Sequence, residues 1–525
     1  MSLLFFGLLL VGLVGCSGDA DDSAGKEEAW TACSGLLLTL DTTRADALSC
    51  YGVYAGVTPN LDRLAEEGVL YEAAHTAVPL TLPAHASMLT GLYPLRHGVR
   101  INGAWALSPE AETLSESARE AGLQTAAFIG ALVLDETFGI AQGFESFGKP
   151  TAAGSQQTSE FPERPANEVV DEAIQWLRSR DRSRRFFLWV HLFDPHWPPF
   201  APDPLELDLP PRVKEYLGEV ARMDREIGRL LKELEDQQLG RETLVFAVAD
   251  HGEGLEEHFE PTHGMFCYET TMRIPMIVRY PDRYRAGERS QEMVSVVDVY
   301  PTMALAMGLT VRPGLDGINL RGGGAPADRG VYFESYEGLL SYGWGQFSGW
   351  IDVEGKYVHS SDPRFFELAT DPGEERDLAA TRVAELVRYR AAIEKLASLP
   401  KLDSGEAQID PDLAEKIRSL GYVSVGAAGQ EVPHPLAETG KPSPLQKLGV
   451  FRAILQATAL MNRGRGGEAI PTLTEIVTED PENMVALQRL SSCLLQVNRF
   501  KRALPLLQKL IATYPTEARY YRDLS

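Results

Sequence analysis

"GLLLTLD" (Gly35–Asp41), "FFLWVHLFD" (Phe186–Asp194) and "TLVFAVAD" (Thr243–Asp250) share one plan: a largely apolar run closed by an aspartate. Runs of this length with little polar alternation suit strands buried on both faces of a mainly parallel sheet. In open α/β sheets, ligands collect beyond the carboxyl ends of the strands. Three strand ends that each present a carboxylate therefore predict a site there. Between them lie amphipathic helical stretches, "TPNLDRLAEEG", "ANEVVDEAIQWLRSR" and "KEYLGEVARMDREIGRLLKELEDQQLG". In the last, Met223, Ile227, Leu230 and Leu231 are spaced to share one face. The predicted fold is α/β, a central mainly parallel sheet flanked by helices.

A fourth stretch carries hydroxyls. "VPLTLPAHASMLTG" (Val78–Gly91) has Pro83 where the first turn of a helix tolerates it and Gly91 where a helix would stop. Thr81 then falls just before a helix N-terminus, where free N–H groups and the dipole favour an anion. On this stretch alone Thr81 reads equally as an N-cap or as a nucleophile.

The chain has 525 residues, 44% hydrophobic and 24% charged, ample for two or three domains, and a formal net charge of -24. So acidic a balance excludes a nucleic-acid partner, which needs a basic surface. "LLFFGLLLVGLVGC", ending at Cys16, is too short an apolar run to span a bilayer and reads as a signal peptide. Its "LVGC" ending looks like a bacterial lipobox, which predicts acylation of Cys16 and a lipid-anchored place on the exported side of the cell envelope. Residues 16–33, small, polar and acidic, read as a tether. The other four cysteines (33, 50, 267 and 493) have no CxxC spacing and read as structural.

Near the other end, residues 426–444 are rich in Gly, Ala, Pro and Glu and read as a linker. Beyond it "GRGGEAIPTLTEIVTEDPEN" recurs as "NRFKRALPLLQKLIATYPTE", with Ala469 and Ala503, and Pro481 and Pro515, each 34 residues apart. That period resembles tetratricopeptide repeats, and implies an all-α region over 445–525 that offers a surface to a protein partner. Because every candidate ligand precedes Met265, the repeats are expected to be dispensable for chemistry.

Eight of the ten histidines (75, 85, 97, 191, 196, 251, 258 and 263) fall in one part of the chain, several beside the strand-end aspartates. "ADHGEGLEEHFEPTHG" alone holds Asp250, His251, His258 and His263. Carboxylate and imidazole on one loop are metal-ligand chemistry. Together with "LLLTLDTTRADALSCYG", "TLPAHASMLTGLYPLRHGVRIN", "HLFDPHWPPF", "RIPMIV", "DVYPTMALAMG", "FFELATDPGEERDLA" and "KIRSLGYV", these blocks resemble, in order, the sulfatase family of the alkaline phosphatase superfamily. The resemblance implies a catalytic domain over 34–425.

What that resemblance implies about the site is specific. Asp41, Thr81, Asp250 and His251 would hold one divalent metal ion, and Thr81 would be the nucleophile. His196 and His263 would contact the substrate's charged oxygens or protonate the leaving group. His85, Asn102 and Arg44 are weaker candidates for contacting substrate, and His191 reads as a core residue. Mixed oxygen and nitrogen ligation leans to Zn or Mn, with Ca or Mg also compatible. One cation is expected rather than two, because the Asp194–His196 spacing differs from the second ligand set of two-metal superfamily members.

One departure from the pattern bears on the reaction. Sulfatases place Cys or Ser two residues before Pro and four before Arg, and convert it to formylglycine; this chain has Thr81, Pro83 and His85. Threonine is the nucleophile of superfamily phosphodiesterases and phosphotransferases. The expected activity is a metal-dependent hydrolase or transferase of a small-molecule, glycan or lipid phospho-ester. The alternatives are a sulfuric ester hydrolase with unmodified threonine, and a non-catalytic scaffold that works through its repeats.

Overall fold

The structure, a computed structural model, describes residues 32–150, 163–322, 325–409, 431–514 and 518–524, with Leu413, Lys416 and Ile417. Cys16 and its hydrophobic run, most of the tether and residues 426–430 lie outside these. No described helix is long and apolar enough to cross a membrane.

The three apolar runs are neighbours. β1 (Ser34–Leu40) lies between β6 (Phe186–Leu192) and β7 (Thr243–Ala249), parallel to both and buried along its whole length. The eight-stranded sheet also contains β2 (Val69–His75), β4 (Gln124–Ile129), β5 (Ser146–Gly148), β8 (Met276–Arg279) and β9 (Glu288–Ser295). Their order is β5-β4-β6-β1-β7-β8-β2-β9, and only β8 runs antiparallel to its neighbours. Leu40 stands in register with both Leu192 and Ala249, so the carboxyl ends of the three central strands finish flush. That register delivers Asp41 and Asp250 side by side.

Flanking helices cover the sheet. In the helix Pro211–Asp236, Met223, Ile227 and Leu230 are buried, while Leu231 is half-buried at the edge of the stripe. The helix Thr81–Thr90 differs in kind: all ten of its residues are buried, and Gly91 ends it in the left-handed region at φ 67°. A two-residue pair joins β3 (Trp105–Ala106) to β14 (Gly405–Glu406). A separate antiparallel sheet follows the main one, formed by β10 (Val331–Ser335), β11 (Phe347–Asp352), β12 (Gly355–His359) and β13 (Arg364–Phe366).

The C-terminal region is helical: Leu448–Asn462, Gly466–Glu479, Met484–Gln496, Phe500–Thr513 and Ala518–Leu524. Ala469 and Ala503, the matched positions of the repeat, are both buried in a common core with Leu473, Leu487, Leu507 and Leu510. This region does not stand apart. Phe451 packs on Phe266 and Tyr342, with ring centroids 5.9 and 5.8 Å away, and Trp344 Nε1 donates to Asp480 Oδ2 at 2.7 Å. The proline-rich stretch before it lies along the second sheet: Ser348 Oγ donates to the Pro435 carbonyl at 2.8 Å and Gly345 N–H to that of Pro442 at 2.8 Å.

Candidate active site

Thr81 is not the N-cap. It is the first helical residue, Leu80 caps the helix without a side-chain bond, and the Thr81 hydroxyl is turned inward to His251 Nε2 at 3.3 Å. The helix start is held from outside, by Asn102 Oδ1 accepting the Leu82 N–H at 2.9 Å. Asn102, expected to contact substrate, thus holds the start of the helix that carries Thr81 through its Oδ1.

Asp41 and Asp250 follow β1 and β7 directly, and both are fully buried. Asp250 Oδ1 accepts the His251 N–H at 2.8 Å and the Thr42 N–H at 3.2 Å. Thr42 reaches it with φ at 48°, a strained backbone for a β-branched residue. Asp250 Oδ2 and both oxygens of Asp41 have no hydrogen-bond partner. His251 Nδ1 donates to the Gly252 carbonyl at 3.0 Å, so Nε2 presents a lone pair, 3.5 Å from Asp250 Oδ2 and 3.9 Å from Asp41 Oδ1. A lone pair and three bare carboxylate oxygens converging in a buried space repel one another unless a cation sits among them. The residues fit a divalent metal. Asp41, Asp250 and His251 form such a group, with ligand atoms within 4.8 Å of one another.

The electrostatics agree. Burial pushes the Asp41 carboxyl up to about 7, against the pull of His263. Burial, then the charge of Asp41, raises Asp250 well above the carboxylate range. Burial likewise drives His251 and His85 well below the ordinary histidine value and His196 down to about 3. Each shift states that an isolated charge is costly here, which a bound cation reverses for the carboxylates. His263 goes the other way: burial opposes its charge, but Glu253, with Asp41 and Glu260, holds it above the ordinary value. Its Nδ1 lies 3.6 Å from Glu253 Oε1, and its ring is 4.3 Å from that of His251 and 5.2 Å from that of His196.

Other expectations are redistributed. The Arg44 guanidinium is engaged by Asp46 at 2.6 Å and Glu257 at 2.7 Å, and ties the loop after β1 to the loop after His251. Asp194, the third strand-end aspartate, turns away: its Oδ2 accepts the Ala166 N–H at 2.7 Å and its Oδ1 lies 3.7 Å from Arg222 Nε. His85 is fully buried beside Asp250, its Nδ1 3.7 Å from Asp250 Oδ2. His191, read as a core residue, is buried but belongs to the cluster, with Nε2 3.4 Å from Asp41 Oδ2. Its register partner is Thr39, two residues before Asp41, a relation that exists only once β1 and β6 are paired. Glu253 also went unread, though it stands three residues after Asp250 in the histidine-rich loop.

A sequence profile described as Sulfatase matches residues 35–309, more than half of the chain and all of the strand ends above. The chain belongs to the sulfatase family. A tetratricopeptide-repeat profile matches residues 460–524 of this sulfatase-family protein. Human N-acetylgalactosamine-6-sulfatase is 26% identical over 448 residues, covering 69% of this chain and 84% of that protein. An arylsulfatase of Clostridium perfringens is 24% identical over 433 residues, covering 65% and 89%. Among solved structures, one in complex with its substrate D-glucosamine-2-N,6-O-disulfate superposes with a TM-score of 0.61 at 20% identity, covering 70% of this chain and 98% of that one. The phosphonate monoester hydrolase of Agrobacterium radiobacter superposes with a TM-score of 0.56 at 22% identity, covering 70% and 95%. The fold of this sulfatase-family chain is thus shared by proteins that act on sulfur and on phosphorus.

Proposed function

We propose that the protein is an exported, lipid-anchored hydrolase or transferase of a phospho-ester, with the Thr81 hydroxyl as its attacking group. The observation that carries this reading is the inward Thr81 Oγ1, 3.3 Å from His251 Nε2 and beside two bare carboxylates. A divalent cation held by Asp41, Thr81, Asp250 and His251 would lower the hydroxyl pKa and offset the charge of the transferred group. The helix N-terminus alone contributes only about 0.3–1 kcal/mol, several-fold in rate. Uncatalysed phosphate-monoester hydrolysis can need up to about 10²¹-fold acceleration, so the dipole is an accessory.

In the first step the Thr81 hydroxyl gives up its proton to solvent, its oxygen bonds to phosphorus, and the ester oxygen leaves with its electron pair and takes a proton from His263, while His196 would contact the charged oxygens. Water, or a second hydroxyl, then attacks phosphorus on the other stroke, and the Thr81 oxygen leaves. Thr81 carries one hydroxyl and a methyl on Cβ, so its ester is released by attack at the central atom. That chemistry suits phosphorus, and it is why phosphate is favoured over sulfate. The alcohol side is a small molecule, a glycan or a lipid, and the C-terminal repeats offer a surface for a protein partner.

A second reading, hydrolysis of sulfuric esters by unmodified Thr81, is favoured by the relatives' names. The test is turnover of aryl phosphodiester, aryl phosphomonoester and aryl sulfate by the metal-loaded protein. Faster phospho-ester turnover is expected; faster sulfate turnover would reverse the assignment.

A further inference from the structure

The proline-rich stretch along the second sheet is anchored on either side of a cavity. Gln346 Nε2 donates to the Ala437 carbonyl at 3.1 Å, and the Gly345 N–H donates to that of Pro442 at 2.8 Å. Between these anchors residues 438–441 line a cavity of about 300 Å³, with Gly440 in the left-handed region at φ 69°. Its other sides come from the turn between β12 and β13, which begins at His359, and from Arg390 of the helix Val383–Ala397. None of these residues belongs to the cluster around Thr81.

Two cations line this cavity, Arg390 and Lys441, and neither has a carboxylate partner among the described residues. Arg390 Nη1 lies 3.3 Å from His359 Nδ1, and a guanidinium N–H only donates, so that nitrogen accepts. Burial, then Arg390, lowers the His359 pKa to about 4, so the ring is neutral and offsets none of the guanidinium charge. Lys441 Nζ donates to the Gly343 carbonyl at 2.9 Å, which leaves two of its three N–H groups for another acceptor. Glu438, the carboxylate on the lining, is exposed and pairs with neither cation. Two residues before Arg390 on the same helix, Arg388 has Asp352 and Glu354 both 3.0 Å away. In a chain with 74 acidic and 50 basic side chains, the missing counter-charge at Arg390 and Lys441 points to one supplied from outside.

We propose that this cavity binds a small molecule through a phosphate or sulfate group held by Arg390 and Lys441. Such a group offers oxygens to the guanidinium fork, the ammonium and a hydroxyl together, where a carboxylate has only two. The hydroxyl is at hand: Thr439 Oγ1 accepts the Lys441 N–H at 3.4 Å, which leaves its own proton to donate. The volume is about tenfold a water's share of the liquid, so the ligand carries an organic body as well as its charge. A molecule bound here fastens the stretch that leads into the repeats to the second sheet.

The site depends neither on Thr81 nor on which ester is cleaved. Its test is hydrogen exchange along the full-length protein titrated with inorganic phosphate, inorganic sulfate or acetate. Phosphate or sulfate is expected to slow exchange in residues 359–363 and 437–441, and the tighter of the two identifies the group. Arg390→Gln and Lys441→Gln should each weaken that protection by about tenfold or more, with Arg390→Lys between them and the wild type, since it keeps the charge and loses the fork. Turnover of an aryl ester without added anion should be unchanged in all three. Protection confined to segments around Thr81 and His263 would assign the anion to the active site and overturn the proposal. Equal affinity in the wild type and both Gln variants would overturn it too, and acetate as effective as phosphate would overturn the choice of group. If one variant misfolds, the wild-type map and the other variant decide.

Discussion

The Thr81 hydroxyl and His251 Nε2 meet at 3.3 Å across 170 positions of sequence. The contact exists because the buried helix Thr81–Thr90 starts where β7 ends, and because the Gly252 carbonyl fixes which His251 nitrogen faces inward. Thr81→Ala is therefore expected to lower turnover by about 10⁴-fold or more while the fold persists. Thr81→Ser should keep a measurable part, since a hydroxyl remains although the rotamer constraint is lost. Mass spectrometry of enzyme quenched in acid during turnover should find phosphate on Thr81. Full activity in Thr81→Ala would end the assignment of this site.

Removing metal should act on stability as well as rate. With the cation gone, Asp41 and Asp250 face each other unshielded in a space closed to water. A cation at a hundredfold excess over its Kd stabilises by about 2.7 kcal/mol. Treatment with a chelator is expected to abolish turnover and lower the Tm, and both should return on adding Zn²⁺ or Mn²⁺. An unchanged Tm would mean that the carboxylates simply share a proton.

Glu219 provides a pH-dependent contribution away from the metal ligands. Burial, then the neighbouring Asp194 carboxylate, pushes it from 4.5 up to about 8. Between those values the unfolded chain has lost a proton that the native state keeps, so stability falls as pH rises from about 4.5 to about 8. Glu219→Gln retains an oxygen for the Ala201 N–H, now accepted at 2.6 Å, and removes the titration. Its stability relative to the wild type should rise across that window, read as urea midpoints at pH 5 and pH 8. A constant difference would show that Glu219 ionises normally.

The repeats should matter for stability before chemistry. Phe451 is buried against Phe266 and Tyr342. Phe451→Ala is expected to cost about 3–5 kcal/mol, as for other buried phenylalanines. Truncation after Val425 should lower the Tm, because it also strips the stretch that lies along the second sheet. Turnover per folded molecule on a small aryl ester should change little. A folded truncation that has lost most of its turnover would place the repeats in the active site.

Membrane-extracted protein should have a mass that lacks residues 1–15 and carries acyl chains on Cys16. A soluble product cleaved elsewhere would remove the lipid anchor from the proposal.

Much of the site could be read without coordinates, and the reason is local. Asp41 and Asp250 are legible because an apolar run declares its strand, and parallel strands of similar length finish together. Thr81 is legible because Pro83 and Gly91 mark a helix's two ends within a few residues. The shifted start of that helix, one residue earlier than Pro83 and Thr81 suggested, was not, since Asn102 supplies the missing bond from outside.

The sequence by itself determined the mainly parallel sheet, the residue types at its carboxyl edge and the 34-residue repeat, because each follows from periodicity within one segment. Only the tertiary structure decided where the remaining polar side chains spend their hydrogen bonds. Arg44 is taken by Asp46 and Glu257, Asp194 Oδ2 by the Ala166 N–H and His85 Nδ1 by the Thr81 carbonyl, while Nε2 of His85 and Nε2 of His191 are left without hydrogen-bond partners. Those outcomes depend on which donors and charges arrive from distant strands and helices, and a buried group's chemistry is set by the neighbours that reach it.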